Sequence, residues 1–133
     1  MRKIKTEIEQ YMTGPIKENK KLLSRCSFPD EFIGFQGHFP EKKILPGVCQ
    51  IQCALSLLEH ASGKTMTLKE IVLAKYFSPV FPRDEISCMV DDVGDGTGEF
   101  LVKAVMTKNG AKVSELKLRV SVANKGGKKQ DEG

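Results

Sequence analysis

The chain has 133 residues, 40% of them apolar and 29% charged, with a net charge of +4 and no tryptophan. That length and balance suit one soluble globular domain with a real core. A basic stripe interleaved with aromatics, an apolar run of membrane-spanning length and a signal-like start are all missing, which sets aside nucleic acid, membrane and secretion and leaves a cytoplasmic protein as the expectation.

In chain order, Ile4, Thr6 and Ile8 alternate with Lys3, Lys5, Glu7 and Glu9, and this period of two predicts a half-buried strand. Thr13-Gly14-Pro15 breaks it. A second strand is expected over 21–28, with Leu22, Ser24, Cys26 and Phe28 in phase. A loop follows in which Gly34, Gly37, Pro40 and Pro46 free or fix the backbone at close intervals. Pro46 suits a first helical turn, where no backbone N–H is needed. From there Val48, Cys49, Ile51, Cys53, Ala54, Leu55, Leu57 and Leu58 cover most of a helical wheel, which predicts a helix buried inside the domain. Gly63 supplies its C-cap, and His60 stands at its far end as a surface residue favoured by the helix dipole.

Beyond the helix, 67–77 reads as a strand with Ile71, Leu73, Lys75 and Phe77 on one face. Pro79 and Pro82 turn the chain. Ile86, Cys88 and Val90 then alternate against Glu85, Ser87 and Met89, and 91–96 is turn chemistry. Phe100, Val102, Ala104 and Met106 mark one strand and Leu116, Leu118, Val120 and Val122 another. Between them Asn109-Gly110 fits a tight hairpin. Residues 124–133 are polar with nothing to bury, so a single domain over 1–123 and a disordered tail are expected. The sum is an α+β domain: a curved, mostly antiparallel sheet of about six strands wrapped around one long helix.

His38 is one of two histidines and sits between Gly37 and Phe39-Pro40. A neutral imidazole there suits a general base near neutral pH, against the plainer reading of a half-buried ring bonded to backbone. At Gly47 and Val48 the first N–H groups of the helix face outward, an electrophilic corner unless Pro46-Gly47 merely makes a turn. Gln52 is a polar residue among apolar ones, and a buried amide needs partners. The four cysteines, Cys26, Cys49, Cys53 and Cys88, lack a zinc spacing and read as small buried hydrophobes. No metal and no cofactor are expected.

Gly37-His38-Phe39-Pro40 followed by Ile44-Leu45-Pro46-Gly47-Val48 resembles the active-site segment of the 3-hydroxyacyl-acyl-carrier-protein dehydratases of the hot-dog fold. Phe77-Ser78-Pro79-Val80-Phe81-Pro82-Arg83-Asp84 is similar to that family too, and the likeness runs over roughly residues 22–122. It implies dehydration of 3-hydroxyacyl thioesters, carried by acyl carrier protein or coenzyme A, with His38 taking the C2 proton and the thioester carbonyl held at Gly47. It implies a homodimer or an oligomer of dimers, with the acyl slot between protomers. The family's helix carboxylate is replaced here by Gln52, which can orient a hydroxyl but not exchange a proton as a carboxyl does. Glu59 lies about 10 Å further along the helix, too far to stand in. Asp30, Glu31 and Glu41, on flanking loops, stay open. Candidates to line the slot are Phe35, Phe39, Ile44, Val48, Phe77 and Phe81. Lys42, Lys43 and Arg83 would flank its mouth and meet an acidic carrier or a phosphopantetheine phosphate. Two further readings remain: a weak or inactive acyl-thioester-binding subunit that pairs with an active homologue, and a hot-dog thioesterase.

Overall fold

The structure, a computed structural model, describes residues 2–35, 43–91 and 98–122. Its elements are α1 (Arg2–Gln10), β1 (Ile16–Glu18), β2 (Lys21–Cys26), a 3-10 turn (Ile33–Phe35), α2 (Gly47–Ser62), β3 (Met66–Tyr76), β4 (Ile86–Asp91), β5 (Glu99–Lys108) and β6 (Ala111–Val122). The six strands form one antiparallel sheet in the order β1-β2-β4-β5-β6-β3. Its inward residues are those whose period of two stands in the sequence: Leu22, Ser24 and Cys26, then Ile86, Cys88 and Val90, then Val102, Ala104 and Met106, then Leu116, Leu118 and Val120, all buried. Asn109 and Gly110 turn the β5–β6 hairpin with φ of 53° and 81°, which both residues tolerate.

Helix α2 packs on the inward face, against β2, β3 and β4. Every residue from Cys49 to Leu58 except Gln52 is buried. It stops at Gly63, whose left-handed φ of 72° lets its N–H reach the Glu59 carbonyl at 2.8 Å. A six-stranded antiparallel sheet around one apolar helix is the hot-dog fold, as the sequence led one to expect.

The N-terminus departs from that expectation, because residues 3–9 belong to helix α1 and not to a strand. Ile4 and Ile8 satisfy both a period of two and an i, i+4 repeat, and Tyr11 extends only the second. Thr6, which a strand would have buried with them, is exposed. Ile8 is fully buried, contributing about 1.5–3 kcal/mol. Tyr11 packs edge-on against Phe28 and Phe32 at 6.0 and 6.3 Å. Glu7 accepts the Ile33 N–H at 3.2 Å, so tertiary contacts hold α1 in place. The short strand β1 was not foreseen; its three residues are all exposed and carry no alternation.

β3 also differs in detail. Register shifts between Leu68 and Glu70 and between Ile71 and Leu73 break its alternation, so of the face expected inward only Leu73 is partly covered. β3 is an edge of the sheet, and Ile71, Val72, Tyr76 and the following Phe77 are exposed along it. The expected turn at 91–96, past Asp91, and the tail over 124–133 lie outside the described residues.

Candidate functional site

The first turns of α2 gather much of the site. Pro46 enters the helix in extended conformation, and no side chain caps the first turn. The N–H groups of Cys49 and Gln50 reach the Pro46 carbonyl at 3.0 and 3.3 Å, whereas those of Gly47 and Val48 have no acceptor among the described residues. They point out from the positive end of the helix dipole. An open groove of about 390 Å³ runs past this end, between the helix start and the turn after β3. Ile44, Gly47 and Phe77, all anticipated, line it with Gln50 and Tyr76, which were not.

Gln50 is only 3% exposed, yet its Oε1 accepts no hydrogen bond from a described residue. A buried acceptor left so costs about 1–3 kcal/mol. Tyr76 lies so close over Gly47 that a Cβ there would stand 2.5 Å from its Oη, so glycine is what admits the phenol to the helix start. Burial raises the Tyr76 pKa above its ordinary value, which keeps the hydroxyl a donor.

Farther along α2, Gln52 is half-buried and donates from Nε2 to Ser56 Oγ at 3.0 Å. Ser56, fully buried, donates in turn to Glu9 Oε2 of α1 at 2.7 Å. The other Glu9 oxygen stands 3.5 Å from His60 Nε2 at the surface. Gln52 thus reaches a carboxylate only through a hydroxyl. Glu59 is engaged elsewhere, accepting the Met66 N–H at 2.8 Å and pairing with Lys5 at 2.9 Å.

Other anticipated residues lie apart from the groove. Phe35 is buried edge-on against Phe32 at 5.6 Å and is core. Phe81 is exposed, with Lys108 Nζ 5.5 Å above its ring. Val48 is half exposed at the helix start. Lys43 and Arg83 are brought together, both at Asp30: Lys43 donates to its carbonyl at 3.3 Å and Arg83 pairs with its carboxylate. That pairing makes Asp30 a poor stand-in acid. His38, Phe39, Glu41 and Lys42 lie outside the described residues.

The four cysteines are free and buried. Burial pushes the Cys49 thiol up to about 11 and raises Cys88, and for Cys53 a hydrogen bond with Cys26 raises it first and burial next. Neutral thiols of this kind are packing groups. Among the described residues no cluster of three or more His, Cys, Asp or Glu side chains could hold a metal, and no helix is long and apolar enough to cross a membrane.

Sequence reasoning missed Tyr76, Gln50, Ser56 and Glu9. Ser56 is signalled by its i, i+4 spacing from Gln52. Glu9 is hidden by the strand-like alternation of its segment.

The family model described as ApeI dehydratase, ApeI-like, matches residues 15–117. A 3-hydroxyacyl-acyl-carrier-protein dehydratase FabZ of Clostridium novyi is 32% identical over 95 residues, covering 66% of this chain and 67% of that protein. Among solved structures, the dehydratase heterocomplex ApeI:P of Xenorhabdus doucetiae superposes with a TM-score of 0.67 at 18% identity, over 84% of this chain and 94% of that one. A hypothetical thioesterase of Streptococcus pneumoniae with coenzyme A also reaches 0.67, at 9% identity, over 93% of this chain and 97% of that one. At such identities the two structures speak for the fold alone.

Proposed function

Since the chain belongs to the ApeI-like dehydratase family, we propose that it removes water from 3-hydroxyacyl thioesters, held on acyl carrier protein or coenzyme A, to give trans-2-enoyl thioesters. The observation that carries this reading is the groove at the start of α2, where two N–H groups with no acceptor among the described residues stand beside the Tyr76 hydroxyl. The N–H groups and phenol suit a thioester carbonyl and the enolate formed from it. His38 takes the C2 proton; the C2–H electrons become the C2=C3 bond as the C3–O bond breaks. With Gln52 in place of a carboxyl, the imidazolium of His38 returns its proton to the departing hydroxyl, and water leaves. Losing a separate general acid slows this by roughly 10²–10⁴-fold. Phe39, Ile44 and Phe77 would flank the acyl chain, and Lys42, Lys43 and Arg83 would meet the carrier.

We infer further that a second copy pairs along β3, because this edge leaves backbone groups and Ile71, Val72 and Tyr76 uncovered. A monomer mass by light scattering at micromolar concentration would sink this and the shared site. Gln52 keeps one other reading in play, a binding subunit that serves an active homologue. The deciding experiment supplies a 3-hydroxyacyl thioester and follows the enoyl thioester: the parent should form it slowly, and His38→Ala should abolish it with the melting temperature nearly unchanged. A parent that binds acyl thioesters but makes no enoyl product favours the helper reading.

A further inference from the structure

We propose that Glu9 and Ser56 are positioning residues that lock the Gln52 amide with its carbonyl oxygen turned toward the substrate's 3-hydroxyl. The proposal rests on the dehydratase reading for the identity of that substrate. Glu9 lies on α1, outside the stretch 15–117 that the family model matches.

The order of donors and acceptors fixes the amide. A carboxylate only accepts, so the Ser56 hydroxyl must spend its one hydrogen on Glu9, 2.7 Å away. Ser56 Oγ then has only lone pairs for its other neighbour, and Gln52 must present N–H, as it does at 3.0 Å. The two ends of an amide are nearly equal in shape, so without Ser56 the side chain has no reason to choose. With it, flipping the amide would set two acceptors face to face inside the protein. The outcome is that Gln52 Oε1, which receives no hydrogen bond from a described residue, is presented as an acceptor from the half-buried side of α2. An acceptor there takes the O–H of a 3-hydroxyl and turns that oxygen's lone pairs away, toward whichever group must protonate it.

α1 is a suitable platform for this, since Ile8 anchors it and Lys5 pairs with Glu59 on the same seam with α2. Ser56 is fully buried, so water does not compete for its hydroxyl.

The test measures affinity rather than turnover. The probes are a short 3-hydroxyacyl N-acetylcysteamine thioester, blocked at C2 by two fluorines so that it cannot be dehydrated, and its 3-deoxy counterpart. The parent should bind the hydroxy form roughly tenfold better, about one good hydrogen bond. Ser56→Ala, which removes the hydroxyl, and Glu9→Leu, which removes the acceptor that fixes its proton, should bring that ratio toward one while the deoxy thioester binds as before. Lys5→Ala, which loosens the same seam, should leave the ratio intact. No hydroxyl preference in the parent overturns the proposal, and so does an unchanged ratio in either variant once circular dichroism shows it folded. An equal loss of both thioesters overturns it as well, since it marks a merely structural role. A parent that prefers the hydroxyl yet never forms an enoyl product refutes the dehydratase reading and leaves the positioning role standing.

Discussion

The two ends of α2 are built on opposite plans. At its C-terminal end every polar group named has a partner in the chain: Gly63 N–H bonds the Glu59 carbonyl, the Glu59 carboxylate takes both Lys5 and the Met66 N–H, and Ser62 Oγ accepts the Lys64 N–H at 3.1 Å. At its N-terminal end no side chain caps the helix, two N–H groups and the Gln50 oxygen have no described partner, and Ile44, Val48, Tyr76 and Phe77 are exposed. Unmade hydrogen bonds cost stability. Among the described residues, one helix end is tied to the rest of the chain, and the other holds the open donors on which the proposed substrate site is built. Gln52 and Ser56 sit between the two, with Glu9 joining them to the closed side.

The largest change should come from altering that middle position. Gln52→Glu is nearly isosteric and restores a proton donor, so kcat on a 3-hydroxyacyl thioester should rise, by as much as roughly 10²–10⁴-fold. The Ser56 hydroxyl already donates to Glu9, so the new carboxyl would face a lone pair, with the Glu9 carboxylate behind it. Apolar surroundings and that like charge both raise its pKa. The acid form is the useful one, so the variant's gain should be full at low pH and fade as pH rises through the raised value, a limb the parent lacks. If the parent already turns over tens of times per second and the variant is no faster, Gln52 is not a handicap. Glu31 and Glu41 would then be the places to look for the acid.

Much of this was legible in the sequence for a physical reason. The inward faces of β2, β4, β5 and β6 follow from a period of two that no tertiary contact had to correct, and α2 from an apolar run bounded by Pro46 and Gly63. The groove residues Ile44 and Gly47 follow from their closeness to the helix start, and Phe77 from the resemblance of its segment. What could not be read depends on contacts distant in sequence. Glu9 meets Ser56 across 47 positions, and α1 is a helix largely because Ile8 and Tyr11 find α2, Phe28 and Phe32 to pack against. Tyr76 looks like one more strand residue until the fold lays it over Gly47. Phe35 misled in the opposite direction, since nothing local separates an aromatic that lines a slot from one that fills the core.

The smallest expected effects divide the two ends most cleanly, and they come from one glycine at each. Gly63 has φ of 72° and open space where a Cβ would go, so Gly63→Ala meets no clash and pays only for the left-handed backbone, about 1 kcal/mol. Urea unfolding should show that loss, and turnover should not change. Gly47 has an ordinary backbone angle, but a Cβ there would push into Tyr76, whose side chain is 47% exposed and able to swing outward. Alanine also favours a helix over glycine by up to about 1 kcal/mol, which offsets the displaced ring. Gly47→Ala should therefore leave stability within roughly 0.5 kcal/mol. It should nonetheless lower kcat/KM about tenfold, one hydrogen bond's worth, because the phenol no longer reaches the helix start. The opposite pattern, with Gly47→Ala unfolding early at full activity, would show that Pro46-Gly47 serves only as a turn and that the open end is open for no chemical reason.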